Sequence, residues 1–180
     1  VHLTGGEQTT VSVFDLEAQI MSLLQDENLM TKDNLAEGYN VHTGKPTEPV
    51  THYGEIHTGD AWEPARKYFC GDHPFNMPVS LILFGDKSHF DMHGTLATTP
   101  LCFTLSCFNK SAQNRVEFWR PIAFLPNHGV SKVTHSKKSD KEKSAQKVQD
   151  EHACLAVALE QLIDIHKRGG IAMKVLNKPV

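Results

Sequence analysis

The chain has 180 residues and a formal net charge of −3 with histidine counted as neutral. This length suits one domain, or one domain with an extension, and the balance of charge argues against a protein that binds nucleic acid through a strong overall positive charge. The hydrophobic content of 39% and charged content of 22% predict a modest core with considerable loop around it.

The four cysteines are scattered along the chain and form no Cys-x-x-Cys pair. Cys102 and Cys107 are an odd number of residues apart, so on one strand they would point to opposite faces, and we expect no disulfide between them. With no signal peptide at the start and no apolar run near 18 residues, we expect a reducing intracellular compartment and no membrane span. Because the chain begins at Val1 and not at Met, the question of a targeting signal before Val1 is left open.

Residues 1–53 are predicted to be an N-terminal extension made of one helix and a linker. From Val11 to Leu24 the apolar residues fall near helical spacing, with Asp15 and Glu17 in the first turn. From Gln25 to Tyr53, glycine and proline interrupt a polar stretch, which predicts an irregular linker.

Three strands are predicted in the next part of the chain, after a short helix at residues 61–69. Val79–Phe84 is almost wholly apolar, as expected of a central strand that is covered on both faces. Thr99–Phe108 alternates and gives a second strand, and Val116–Leu125 gives a third. Pro121 cannot donate to a ladder, so the third strand should lie at a sheet edge or carry a bulge. Short connections make these strands an antiparallel meander.

The last part of the chain predicts a crossover helix and a further strand. His152–Lys167 has a helical apolar face, and Gly169 and Gly170 should stop it. Ile171–Val175 could then form a strand beside the first one. Three antiparallel strands, a crossover helix and a strand parallel to the first resemble the opening half of a ribonuclease-H-like sheet. The predicted fold is therefore α/β, with an incomplete ribonuclease-H-like domain over residues 54–180.

Asp86 is the strongest candidate for chemistry. It follows the apolar run and Gly85 directly, and the tip of a central strand is a rigid position where α/β enzymes commonly place catalytic groups. We expect a carboxylate there to be partly desolvated and, in two-metal phosphoryl transfer, to bind Mg²⁺ or Mn²⁺. The structural alternative is that Asp86 only caps the next turn, because Gly-Asp pairs favour loops.

Three further polar residues, His89, Asp91 and His93, alternate after Asp86. On a strand they would share one face and could bind zinc, but a chain with 11 histidines produces such triplets by chance. We interpret them as a polar loop and keep a small metal-binding protein as an alternative function.

Lysines are the candidates for contact with nucleic acid. Lys87 follows Asp86, while Lys132, Lys137 and Lys138 lie in a Lys/Ser-rich insertion at residues 131–150. Each phosphate that a lysine neutralises releases counterions, which favours binding. Acidic residues reduce the net positive charge of the insertion, and no aromatic residue lies between the lysines to stack on bases. We therefore interpret the insertion as a solvated linker or a frayed helix start.

Three motifs follow one another in a consistent order. They are Tyr53-Gly-Glu-Ile-His-Thr-Gly-Asp-Ala-Trp-Glu-Pro-Ala65, Met77-Pro-Val-Ser-Leu-Ile-Leu-Phe-Gly-Asp-Lys-Ser-His89 and Phe118-Trp-Arg-Pro-Ile-Ala-Phe-Leu-Pro126. On these motifs the chain resembles transposase-derived proteins of the Plavaka type, relatives of the CACTA transposases. The likeness spans Gly54 to Val175.

The resemblance implies a ribonuclease-H-like domain that cuts and joins DNA with Mg²⁺ or Mn²⁺ held by three acidic residues, in the nucleus. Asp86, followed by Lys87, is similar to the family's first acidic ligand. The second and third acids should come after the crossover helix and lie beyond Val180. Glu160 and Asp164, on that helix, do not replace them. One carboxylate is not expected to hold two metals in catalytic geometry, so we expect the chain as given to be inactive, with Mg²⁺ or Mn²⁺ as the metal of the intact family and Asp86 as the candidate ligand here.

An interaction module is the alternative from another class. It would dock a partner through the half-sheet and the helix at residues 11–24, and it predicts an exposed apolar patch. An incomplete sheet also leaves a strand edge open, so we expect marginal stability or self-association.

Overall fold

The computed structural model describes residues 1–4, 6, 8–49, 54–71, 73, 76–89, 97–126, 140–175 and 178–179. The strands are β1 (Ser12–Val13), β2 (Tyr39–Asn40), β3 (Lys45–Pro46), β4 (Leu81–Gly85), β5 (Ser88–His89), β6 (Ala97–Leu105), β7 (Arg120–Pro126), β8 (Lys174–Val175) and β9 (Lys178–Pro179). The helices are α1 (Leu16–Leu24), α2 (Trp62–Cys70), α3 (Lys110–Gln113), α4 (Asp140–Ala158) and α5 (Glu160–Lys167), and short 3-10 helices lie at Ile56–Thr58 and Val116–Phe118. The fold is mixed α/β with antiparallel sheets, and no helix in the part of the chain described has the length and apolarity needed to cross a membrane.

The main sheet has the strand order β1-β7-β6-β4, and β5 also pairs with β6. The three strands predicted as a meander are therefore neighbours in chain order, as expected. The third is shorter than predicted, because Val116–Phe118 forms a 3-10 helix before β7 begins at Arg120.

The prediction that the first of these strands is central is wrong. β4 lies at one end of the order of the described strands, and its residues Leu83 and Phe84 are 45% and 55% exposed. An apolar run reports a residue preference and not the number of neighbouring strands, so an edge strand can carry the same pattern.

The prediction that the third strand is an edge is also wrong. β7 pairs with β1 on one side, with Ser12 opposite Phe124 and Val13 opposite Ala123, and with β6 on the other. The amide of Phe14 donates to the carbonyl of Ile122 at 2.8 Å, and α1 begins two residues later. Pro121 is the second residue of β7, beyond these pairs, so β1 does not require its missing N–H.

The N-terminal extension differs from its prediction in two places. The helix begins at Leu16 and not at Val11, because Ser12 and Val13 are recruited into the sheet. The stretch predicted as an irregular linker is packed, since it contributes buried apolar side chains: Leu29, Met30, Ala36, Tyr39 and Val41. Irregular backbone can be buried when its polar groups are paired, and periodicity alone does not reveal this.

The C-terminal part contains two helices where one was predicted. α4 begins at Asp140, inside the Lys/Ser-rich insertion, and Leu159 interrupts the helical run before α5. The strand predicted at residues 171–175 is the two-residue β8, which pairs with β9, so the expectation that it lies beside the first strand is wrong.

The described chain divides into two compact units, which we treat separately. The first consists of Val1–Leu16, Phe84–Cys102 and Pro121–Gly170. Here the rings of Phe14 and Phe124 lie edge to face at 5.7 Å. The side chain of Gln161 accepts from the Leu16 amide at 2.9 Å and donates to the Phe14 carbonyl at 2.7 Å, which fixes α5 to the start of α1.

The second unit consists of Glu17–Leu83, Phe103–Arg120 and Ile171–Val180. Phe103, Phe108 and Phe118 are fully buried at its centre, with the rings of Phe108 and Phe118 at 4.7 Å. The side chain of Asn109 begins α3 by accepting from the Ala112 amide at 2.8 Å. Its amide group also donates to the carbonyl of Asp33 at 2.8 Å, which holds the irregular segment in place.

Candidate functional site

Asp86 lies in the two-residue gap between β4 and β5. Its carboxylate is exposed, and its Oδ1 accepts a hydrogen bond from the backbone amide of Lys87 at 2.7 Å. The expectation of partial desolvation is therefore wrong, because the gap opens to solvent. The observed contact is the local one that the structural alternative predicts.

The register of the sheet explains why the strand is interrupted at Asp86. Ser88 is opposite Thr98, His89 is opposite Ala97, and the Ser106 amide donates to the Ser80 carbonyl at 3.0 Å. The same register therefore runs through β4 and β5, and it sets Asp86 opposite Pro100. Positions 80 and 106 form a hydrogen-bonded pair, and every second pair along an antiparallel ladder repeats that type.

Pro100 would consequently have to donate to the carbonyl of Asp86, and proline has no N–H. The hydrogen-bond ladder between β4 and β6 is therefore interrupted at Asp86, and pairing with β6 begins again at Ser88. The amide of Lys87 points away from β6 in this register, and the carboxylate of Asp86 satisfies it. A proline on the neighbouring strand thus explains the break in the ladder at Asp86.

The secondary candidates are only partly described. His89 is the last residue of β5, and its backbone pairs with Ala97. The side chain of His89, and the residues Asp91 and His93, lie outside what the structure describes, so their convergence stays a prediction.

The described residues do not by themselves form a binding site for a divalent metal ion. Asp86 offers one carboxylate, and the described parts of the chain contain no group of three His, Cys, Asp or Glu residues that could hold a metal ion. Glu160 and Asp164 are exposed on α5, and Asp164 lies 4.0 Å from the ammonium group of Lys167. We therefore derive no metal-dependent step from this arrangement.

Of the four lysines predicted to contact nucleic acid, the structure describes one. Lys87 is exposed beside Asp86, where its ammonium group can reach an anionic ligand. Lys132, Lys137 and Lys138 lie outside the described residues. Their role stays a prediction.

Cysteine nucleophiles are not favoured. All four cysteines are free, which confirms the prediction that Cys102 and Cys107 form no disulfide. Burial raises the pKa of each thiol, and it raises that of Cys107 to about 12. The thiolate is the reactive form, so burial of this kind makes these cysteines inert.

A buried polar cluster in the second unit is what sequence reasoning missed. His57 is 3% exposed, its Nε2 lies 3.1 Å from the carbonyl oxygen of Glu37, and its ring packs on Tyr39 at 5.1 Å. Within the described part of the chain, no partner is found for its Nδ1. Burial lowers the pKa of His57 and raises that of Tyr39. Both side chains are thus held neutral, which suits packing better than proton transfer to a solvent-exposed substrate.

The residues on either side of His57 are held by further local hydrogen bonds. Thr58 Oγ1 accepts from the amides of Gly54 and Glu55 at 3.0 and 3.1 Å, and Trp62 Nε1 donates to the carbonyl of Gly44 at 2.7 Å. These side chains close a turn and anchor α2. The Thr-Gly-x-x-Trp spacing was the available signal, and it indicates a structural role.

An ion pair completes this region. The guanidinium of Arg66 is 5% exposed and makes two 2.8 Å hydrogen bonds to the carboxylate of Glu63, one turn earlier on α2. The hydrogen bond from Arg66 lowers the pKa of Glu63. The charge of Arg66 is thereby compensated within the helix, so it is not poised to bind an external anion.

Comparison with known protein families gives a match that spans most of the chain. The family model described as Plavaka transposase matches residues 4–178, nearly the whole chain. No match was found among the curated proteins or among the solved structures.

Proposed function

The chain belongs to the Plavaka transposase family, and from that premise we propose that it is a segment of a DNA transposase in which Asp86 supplies the first metal-binding carboxylate of a ribonuclease-H-like domain. The position of Asp86 carries the proposal. It lies directly after β4, the first strand of the three-strand meander, at an exposed break before β5, and helices follow the meander in the chain. A carboxylate there can reach DNA and metal together.

The edge position of β4 counts against a ribonuclease-H-like sheet within the described residues, but it leaves one side of β4 open to a further strand. A ribonuclease-H-like sheet places a further strand, which follows the crossover helix, beside the first strand of the meander. Among the described strands, β4 has a neighbour on the β6 side only. Leu83 and Phe84 are the exposed apolar residues that such a strand would help to cover. The same edge could pair with a second copy of the chain.

We further propose that these 180 residues do not cleave DNA by themselves. Asp86 is one ligand, and two-metal phosphoryl transfer requires several convergent carboxylates. The intact enzyme would use Mg²⁺ or Mn²⁺ and act on genomic DNA, hence in the nucleus.

The test compares the chain as given with a protein extended by the coding sequence downstream of residue 180. Supercoiled plasmid with Mn²⁺ is the substrate, and nicking is the measurement. The extended protein should nick DNA, and both Asp86→Ala and Asp86→Asn should abolish nicking. Asn keeps an acceptor for the Lys87 amide, so Asp86→Asn should unfold at the same denaturant concentration as the parent, which separates the metal role from the capping role.

Two results would overturn these proposals. Mn²⁺-dependent nicking by the 180-residue chain that disappears in Asp86→Ala would show that it is active alone. Full nicking by the extended Asp86→Asn variant would show that Asp86 is not a metal ligand.

An interaction module remains the second candidate, but it rests on another surface than the one expected. The predicted docking helix, α1, already buries its apolar residues Leu16, Ile20, Leu23 and Leu24. The rings of Tyr68 and Phe69 on α2 are instead 82% and 62% exposed and lie edge to face at 4.9 Å. Exposed aromatic residues of this kind are enriched at protein interfaces.

A further inference from the structure

The imidazole of His57 joins two segments of the second unit. His57 lies in the 3-10 helix at Ile56–Thr58, and its Nε2 is 3.1 Å from the carbonyl oxygen of Glu37. Glu37 begins a hairpin at residues 37–47, in which β2 and β3 pair with Tyr39 opposite Pro46. A carbonyl oxygen only accepts hydrogen bonds, so Nε2 carries the proton that is donated. In the neutral ring, Nδ1 is then left with a lone pair and no proton.

A second proton on His57 would be buried without an acceptor. The residue is 3% exposed, and its Nδ1 has no hydrogen-bond partner among the residues that the structure describes. Protonation would turn Nδ1 into a donor and give the ring a positive charge, and burying an unpaired charge is costly. The contact with Glu37 is therefore compatible with the neutral ring and not with the imidazolium form.

Charged and titratable groups surround His57 on the segments packed beside it. They are Glu37 and Tyr39 at β2, Lys45 on β3, Glu55 before the 3-10 helix, Glu63, Arg66, Lys67 and Cys70 on α2, and Cys107 after β6. The charge of Glu55 favours the imidazolium form, but burial acts more strongly and lowers the pKa of His57. Arg66 is compensated by Glu63, and burial keeps Tyr39 and both thiols neutral. These surroundings support a neutral ring.

The hairpin is attached separately from the segment that precedes it. On one side, Trp62 Nε1 donates to the carbonyl of Gly44 at 2.7 Å, and the Tyr39 ring lies 5.1 Å from that of His57 and 6.1 Å from that of Trp62. On the other side, the Ala36 amide, directly before the hairpin, donates to the carbonyl of Cys107 at 2.7 Å. The hairpin can thus separate from the 3-10 helix while residue 36 keeps its own anchor.

We propose that the hairpin at residues 37–47 is a pH-sensitive latch, which neutral His57 holds closed and which protonation of Nδ1 opens while the rest of the second unit stays folded. Opening gives the imidazolium access to water, which replaces the missing acceptor. It also uncovers the side chains of Tyr39 and Trp62, which the closed latch buries. The latch involves neither Asp86 nor DNA, so it is independent of the proposed function.

The size of the effect follows from proton linkage. In the open latch the imidazole is solvated and titrates near its ordinary pKa of about 6.5. Above that pH the opening equilibrium should be constant, and below it the equilibrium should rise by up to about tenfold per pH unit, until the lower pKa of the closed state is reached. Between pH 7.5 and 5.5 the latch should therefore open up to about tenfold more often.

The experiment measures amide hydrogen exchange by NMR at several pH values from 7.5 to 5.5, with each rate divided by the rate of an unstructured chain at the same pH. The reporters are the amides of Gly44 and Thr47, which donate to the carbonyls of Asn40 at 2.8 Å and Gly38 at 2.7 Å. Their protection should be level above about pH 6.5 and fall below it. The Ala36 amide is the internal reference, and its protection should stay constant.

The variant His57→Gln keeps a donor for the carbonyl of Glu37 but gains no proton in this range, so its reporter amides should lose the dependence on pH. The matched control, His152→Gln on α4, is exposed and should behave as the parent does. Constant reporter protection in the parent, an equal fall at Ala36, or a fall that persists in His57→Gln would each overturn the proposal. If His57→Gln does not fold, the parent's reporters and the Ala36 amide decide by themselves.

Discussion

Asp86 and Pro100 stand opposite each other across the main sheet, at a pair position where the ladder needs an N–H that proline does not have. The gap between β4 and β5 follows from this pairing. The candidate metal ligand therefore lies at a break in the ladder that is explained by a residue on another strand, 14 positions further along the chain.

Replacing Pro100 with Thr should close the gap. The new amide can donate to the carbonyl of Asp86, and Thr is well suited to a strand. Hydrogen exchange should show protection of the residue 100 amide, comparable to that of other paired β6 amides. The free energy of unfolding should change by less than about 1 kcal/mol, because the added hydrogen bond and the more flexible unfolded chain oppose each other.

The control for this change is Pro49→Thr, in an exposed loop outside the sheet. It restores an amide without a ladder partner, which should exchange rapidly. Rapid exchange of the residue 100 amide in the first variant would refute the register that sets Asp86 opposite Pro100.

Gly44 should tolerate alanine far less well than Gly38 does. Both have a positive φ, +64° and +69°, so alanine at either position is strained by about 1–2 kcal/mol. At Gly44 the added Cβ would also lie 2.5 Å from Cδ of Pro78, whereas at Gly38 the nearest atom is Thr47 Oγ1 at 3.7 Å. Gly44→Ala should lose about 1–3 kcal/mol more in urea unfolding. Equal losses would mean that Pro78 moves aside freely.

His57 should make the protein less stable in mild acid. Burial lowers its pKa in the folded protein, while the unfolded chain titrates near the ordinary value of about 6.5. Between these two values the unfolded chain binds more protons, so stability is complete above about pH 6.5 and falls as the pH drops through the lower, folded pKa. Urea midpoints measured at several pH values between 7.5 and 5 would record this fall.

The variant His57→Gln tests whether His57 causes this fall. It removes the titrating group, so the urea midpoint should depend less on pH than it does in the parent. His152→Gln, at an exposed position on α4, is the control and should keep the parent's profile. An unchanged profile in His57→Gln would locate the acid sensitivity elsewhere.

Sequence patterns located most of the regular elements but not their limits or their neighbours. The helix at residues 61–69, the order of the meander and the free cysteines followed from spacing and composition. Such patterns record local preferences, so they found strands without finding which of them lie at an edge. They also missed the packing of residues 25–49, because an irregular segment held by Asn109 and buried apolar residues has no period to detect.

The sequence by itself determined the family, since the three motifs are local and the family model matches residues 4–178. It also determined that an acidic residue follows the first strand of the meander. Only the tertiary structure decided that this strand is the last in the order of the described strands, that β1 pairs with the other side of β7, and that Pro100 stands opposite Asp86. These relationships depend on pairing between residues far apart in the chain, and the pattern within one segment does not carry that information.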